Sequence, residues 1–205
     1  MFRLTGESWV FHKKAAFLCV RMGIPIALQN ALVSVSMIYL QKTANSFGDT
    51  VMAAYTATMR VEQLIQQPFS SLSAAVASFT GQNVGAGERE RIRICYRQSM
   101  KLAACFAIIM LVVFLLFSRN IIGIFVTEPE VFDIGGTALK FSAFYYIFLG
   151  TIHVTRGFLN GAGDVNFALI NGIAEVVGRS GFASILVHIS SVGYMAVWGT
   201  TCLTW

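Results

Sequence analysis

A chain of 205 residues that is 56% hydrophobic and only 12% charged falls well short of the roughly one-quarter charged residues of a soluble globular protein. With a mean hydropathy of +0.66, this composition places it in the membrane class. The net charge of +5 does not point to nucleic acid, because the basic residues are dealt out loop by loop rather than gathered into one patch.

A helix that crosses a bilayer needs roughly 20 mostly apolar residues. Five such segments are predicted: A at about 23–46, B at about 50–80, C at about 98–118, D at about 130–157 and E at about 165–188. A sixth, F, runs from 193 to the end; its helix of about 20 Å is too short for a hydrocarbon core of about 30 Å. The expected fold is an all-α integral membrane protein. It is a polytopic helix bundle over 23–205, with five full transmembrane helices and a truncated sixth, behind a cytoplasmic or interfacial lead-in over 1–22. On this reading the sequence is a fragment or a truncated reading frame. The lead-in lacks the charged, apolar and small-residue order of a signal peptide, so insertion is expected to rest on the membrane helices themselves.

Segment A opens with Gly23-Ile24-Pro25, and a proline in a first helical turn costs little because its missing N–H has no partner there. Asn30, Ser34, Met37 and Gln41 follow on one face, with Gln29 and Ser36 elsewhere. Asn45 to Asp49 is a turn signal. In B, Thr56, Gln63, Gln66, Gln67 and Ser70 share an arc, with Arg60 and Glu62 at its edges, while Val61, Leu64, Ile65, Phe69 and Leu72 fill the opposite side. Lipid satisfies neither amides nor charges, so that arc must look onto protein or water.

Segment C, LAACFAIIMLVVFLLF, has no polar stripe and reads as a lipid-facing wall. Arg89, Arg93, Arg97 and Lys101 recur every four residues on the way into it, as a lipid-headgroup or regulatory contact or as side chains snorkelling to the interface. Thr127-Glu128-Pro129-Glu130 has the pattern of a capping box opening D. Within D, Ser142, Tyr145, Tyr146, Leu149, His153 and Arg156 lie in an arc of about 100°. Asp164 is a plausible N-cap for E, where Asn171, Glu175 and Arg179 form an i, i+4, i+8 line.

Four helices each offering a polar face would enclose a wet cavity when packed, although polar glue between helices accounts for any single stripe. The candidate substrate and ion residues are Asn30, Glu62, Gln63, Gln66, Gln67, Tyr145, Tyr146, His153, Asn171, Glu175 and Arg179. Two acids are deeply placed. Glu175 has Arg179 one turn on, in the order that suits an intrahelical ion pair, which favours a structural role. Glu62 has no such partner, and Gln63 and Gln66 could hydrogen-bond it in either protonation state, so it is the better candidate for ion or substrate contact. His153 is a proton relay or a simply hydrogen-bonded histidine. Tyr145 and Tyr146 could stack on a flat cationic ligand or merely pack.

The four cysteines, Cys19, Cys95, Cys105 and Cys202, have neither zinc-site nor disulfide spacing. Gly81, Gly85 and Gly87 do not match a dinucleotide fingerprint. There is no nucleophile–base set, metal-ligand spacing or phosphate loop, so neither catalytic residues, metal nor cofactor is expected, and the chain is not read as an enzyme. Lys13, Lys14 and Arg21 precede A, Arg89 to Lys101 separate B from C, and Arg156 precedes the D–E turn; the alternate loops are poorer in basic residues. By the positive-inside rule the N-terminus and the B–C and D–E loops are cytoplasmic.

At RMGIPIALQN (21–30), NSFGDTVMAAYTATMRVEQL (45–64), FTGQNVGAGERERI (79–92), RGFLNGAGD (156–164) and the E-V-V-G-R run at Glu175–Arg179, the chain resembles the multidrug and toxic compound extrusion (MATE) family. The GQN-x-GAG element with its charged helix is the most specific of these. The resemblance implies the C-terminal lobe of a twelve-helix, two-lobe antiporter, repeats of the kind found in secondary transporters. It further implies efflux of amphipathic, often cationic, organic molecules across the inner or plasma membrane, coupled to H+ or Na+. The partners implied are the lipid bilayer and a missing N-terminal lobe, or self-association in its place. Some members couple through acids in the seventh and tenth helices, but A carries none, and Val33 or a neighbour stands where a glutamate is expected. Glu62 or Glu175 then substitutes, or the coupling acid lies in the other lobe. A flippase for lipid-linked saccharides and a non-transporting remnant or assembly partner are the alternatives.

Overall fold

A computed structural model describes residues 12–188 and 193–204 of the chain. The described residues form α-helices α1 (Lys13–Asn45), α2 (Asp49–Gly85), α3 (Arg89–Ile122), α4 (Pro129–Ala162), α5 (Val165–His188) and α6 (Ala196–Leu203), with a 3-10 turn at Gly193–Met195. Each of the first four outruns its apolar segment, because a helix continues through polar residues once nucleated. Two expectations change as a result. The second half of the lead-in is helix, and Pro25 lies inside α1 rather than in its first turn. It leaves the Arg21 carbonyl without its intrahelical donor, as Pro68 does for Leu64 in α2. The rest of the lead-in, 1–11, and Trp205 of segment F lie outside the described residues.

The connections are short. Gly48 (φ 99°), Gly87 (φ 75°) and Gly163 (φ 86°) take the left-handed backbone that turns the chain between helices. Asp164 Oδ1 accepts the Phe167 N–H at 3.4 Å, which is the N-cap expected for α5. The capping box at 127–130 does not form: Glu128 is the N-cap, Pro129 is the first helical residue, and no side chain bonds the helix end.

The most extensive packing is that of α4 on α2 and on α3, followed by α1 on α5; α6 fills the angle between α5 and α4. The α2–α4 contact depends on missing side chains. A Cβ at Gly157 would overlap the Ser73 carbonyl, one at Gly161 the Ala77 carbonyl, and one at Gly150 would come within 2.8 Å of the Phe69 ring. Gly157 and Gly161 are a small-xxx-small pair, which lets backbones touch where no hydrophobic effect drives helices together. Around this seam Phe69, Phe114, Leu139, Tyr146 and Val154 form one core, with Tyr146 edge-on to Phe114 at 5.9 Å. A second core holds Leu40, Tyr55, Val131 and Trp198, and the Trp198 indole donates to Thr58 Oγ1 at 3.0 Å.

Among the described residues, Ala16–Asn45 and α3 are the two helices long and apolar enough by themselves to cross a membrane. The other three of the five long helices span at least about 36 Å, but their inward faces carry amides, hydroxyls and charges. On α3, Leu102, Ile108, Val112 and Leu116 are exposed, as a wall against lipid requires.

Gly157→Leu should force α2 from α4 and lower stability by about 1–3 kcal/mol or more in thermal unfolding of the purified protein. Gly85→Ala, whose Cβ would meet nothing within 4 Å, should leave the transition nearly unmoved.

Candidate functional site

Position 179 on α5 puts an arginine where three helices converge. Its side chain is 1% exposed, and Nη2 lies 2.7 Å from Glu175 Oε1 one turn earlier. Nη1 donates to Ser36 Oγ on α1 at 3.1 Å and Nε to Thr204 Oγ1, just past α6, at 3.4 Å. The intrahelical ion pair read from the sequence is therefore present, and it is anchored from two other directions.

Glu175 has a second partner. Arg156 Nη2 of α4 stands 3.6 Å from its Oε2, with only 22% of the arginine side chain exposed. From the sequence Arg156 both precedes the D–E turn and shares the polar arc of D; its side chain follows that arc inward, because a carboxylate one helix away offers a counter-charge. Nε of Arg156 remains buried without a hydrogen-bond partner among the described residues.

These three charges line a cavity of about 100 Å³ together with Gln66, His153 and Asn171, room for roughly three waters. Beyond Arg156 and Asn171 a further cavity of about 150 Å³ opens toward Thr151 and Phe167. Of the expected residues, then, Gln66, His153, Asn171, Glu175 and Arg179 come together. His153 lies parallel to the Phe69 ring at 6.2 Å, on the cavity rim.

The remaining candidates lie elsewhere. Asn30, Gln63 and Gln67 are exposed and line none of these cavities. Tyr145 packs beside Phe141 (5.3 Å) and Phe148 (6.3 Å), whereas Tyr146 is buried against Phe114. Adjacent helical residues point about 100° apart, so the two tyrosines do not frame one ligand.

Glu62 also departs from its expected setting. It is 2% exposed and sits beneath α4 and α6 rather than beside the glutamines of its own helix. Ser142 is within hydrogen-bonding reach, and Tyr55, Tyr146 and Cys202 lie close enough to feel its charge. Cys202 Sγ contacts Ser142 Oγ at 3.7 Å, which frees the serine proton for the carboxylate. Glu62 Oε1 has no partner among the described residues.

Sequence reasoning set aside Gln29 and Ser36, which are 1% and 2% exposed. A Cβ at Gly172 of α5 would come within 2.8 Å of the Gln29 side chain, so a missing side chain on one helix makes room for the amide on the other. Their spacing to Leu40 and Ala44, at helical intervals on one face, was the available signal. The arrangement brings polar and charged side chains together at two carboxylates, Glu175 held between two arginines and Glu62 with one oxygen unpartnered among the described residues.

The MatE family pattern matches residues 25–180. The chain is 27% identical over 187 residues to a probable multidrug resistance protein, YoeA, of Bacillus subtilis (strain 168), covering 91% of this chain and 40% of that protein. It is 30% identical over 153 residues to the probable multidrug resistance protein YpnP of the same organism, covering 75% and 34%. A solved structure of a multidrug resistance MATE family transporter of the MOP superfamily, in its outward-facing conformation, superposes with a TM-score of 0.89 at 22% identity. That match covers 98% of this chain and 46% of the other. The chain thus spans less than half the length of the relatives it matches.

Glu175→Ala should leave Arg179 buried without its counter-charge and cost about 3–5 kcal/mol in chemical unfolding. Asp133→Ala, which removes the exposed partner 3.4 Å from Arg119, should cost under about 1 kcal/mol. Equal losses would show that the buried cluster does not hold the helices together.

Proposed function

This chain belongs to the MatE family, and on that footing we propose that it acts as the C-terminal lobe of a secondary multidrug transporter driven by H+ or Na+ antiport. Relatives named as multidrug resistance proteins match nearly the whole chain, and the helices make it a multi-pass membrane protein. In the proposed arrangement it lies in the plasma or inner membrane with its N-terminus in the cytoplasm, and exports amphipathic, often cationic, organic molecules.

The observation that carries this reading is the two-sidedness of α2. Within two turns it buries Glu62 against α4 and leaves Arg60, Gln63 and Gln67 exposed. Amides and a guanidinium at bilayer depth need protein or water opposite them, and a facing lobe, joined in the same polypeptide or supplied by a second subunit, provides both. The substrate path then runs between the lobes along the exposed stripe, with Asn30 of α1 on the same passage.

Glu62 couples transport to the ion in this scheme. A buried carboxylate oxygen without a partner costs roughly 1–3 kcal/mol or more; a proton or a desolvated Na+ at Oε1 supplies the missing interaction. Because α2, α4 and α6 all border this carboxylate, any rearrangement that opens the junction to water removes the need for the bound cation. Ion binding then favours the closed junction and ion release the open one, and only that difference in affinity can drive a cycle.

The test is Glu62→Gln in the longest reading frame that contains this chain. Drug efflux driven by an imposed pH or Na+ gradient should fall at least tenfold, with the amount of inserted protein unchanged. Full resistance at equal expression would remove Glu62 from the mechanism.

A further inference from the structure

A cavity larger than the polar one lies apart from it. It lies between the start of α3 and the end of α4, has a volume of about 540 Å³, and is walled by Ile92, Tyr96, Phe158 and Leu159 with Arg89 and Arg93 at its rim. Its floor is fixed: Tyr96 and Thr155 hydroxyls bond at 3.1 Å, and the Tyr96 ring meets Phe158 edge-on at 5.3 Å. Both arginines are exposed, and neither makes an ion pair among the described residues. No carboxylate lines the groove. Glu88 and Glu90, their sequence neighbours, do not line the groove; Glu90 is one turn from Arg93, at i and i+3, yet forms no ion pair with it among the described residues.

We propose that this groove holds an anionic phospholipid, its phosphate on Arg89 and Arg93 and one acyl chain along the wall formed by α3 and α4. Arginine suits the phosphate, since its fork of donors matches the phosphate oxygens in pairs. The apolar wall selects a lipid over a free anion, and the two uncompensated positive charges select an anionic headgroup over a zwitterionic one. The same stripe continues to Arg97 and Lys101, which are exposed and outside the groove; they reach the interface by snorkelling and attract anionic lipid only diffusely. The leaflet follows from the cytoplasmic assignment of the α2–α3 loop proposed above, whereas the groove and its ligand do not depend on that assignment or on transport.

The purified 205-residue chain, examined in nonionic detergent by native mass spectrometry, should retain phosphatidylglycerol in preference to phosphatidylcholine of the same acyl chains by on the order of tenfold. The double variant R89Q/R93Q should bring the two lipids close to parity, while R97Q/K101Q keeps the preference. L159W, which fills the groove and leaves every charge in place, should lower phosphatidylglycerol retention as well. An equal loss from R97Q/K101Q, full retention by L159W, or complete displacement by inorganic phosphate would each overturn the proposal, in favour of diffuse surface charge in the first two cases and a free-anion site in the third.

Discussion

Hydrocarbon offers no hydrogen bonds, so a guanidinium placed among membrane helices must find every partner within the protein. Arg179 meets that demand by reaching three elements at once: Glu175 on its own helix, Ser36 on α1 and Thr204 beyond α6. The alignment of α1, α5 and the end of α6 follows from this one side chain, because moving any of them strands a buried donor. Arg156 then closes the set by joining α4 to the same carboxylate. Two positive charges share one negative, which keeps the cluster polar enough to hold water while tying four elements together.

A second constraint acts on the other side of α4. There the helices are held by absence: Gly150, Gly157 and Gly161 let α2 come into backbone contact. By packing, α2, α3 and α4 form one group, and α1 with α5 forms another. Glu62 lies where the first of these groups meets α6, and the charged cluster lies where α1 and α5 meet α4 and α6. Both carboxylates therefore sit at boundaries between groups, where a small relative displacement changes their surroundings most.

Periodicity and hydropathy made the helices, the turn at 45–49, the Asp164 N-cap and the Glu175–Arg179 pair legible before any coordinates. An i, i+4 acid–base pair is local, and local geometry is what a single sequence encodes. Which polar residues would meet was far less legible. Glu62 and Gln63 are neighbours, yet one is buried and the other open, because the neighbour α4 covers one side of α2 only. For Gln29 the sequence offered only its helical spacing to Leu40 and Ala44; the room for its amide comes from Gly172 on another helix. Arg156 was legible as part of the polar arc of D, but its partner was not, because that partner is on the next helix and charge patterning along the chain sees loops rather than cross-helix contacts.

The pairing of α1 with α5 also sets an order of events during synthesis. Ser36 and Arg179 are separated by 143 residues, so at about 5–20 residues per second the first helix waits roughly 7–30 seconds for the one that completes it. Through that interval it must sit in the bilayer without α5 against it. Its strongly apolar character, with Phe17, Leu18, Ile24, Val35 and Ile38 still exposed in the finished bundle, is what makes such waiting tolerable. The single-file emergence of the chain thus accounts for the apolar character of the helix bearing Ser36, which must persist before α5 arrives, whereas α2 and α4 emerge closer together and meet sooner, so their polar faces are covered earlier.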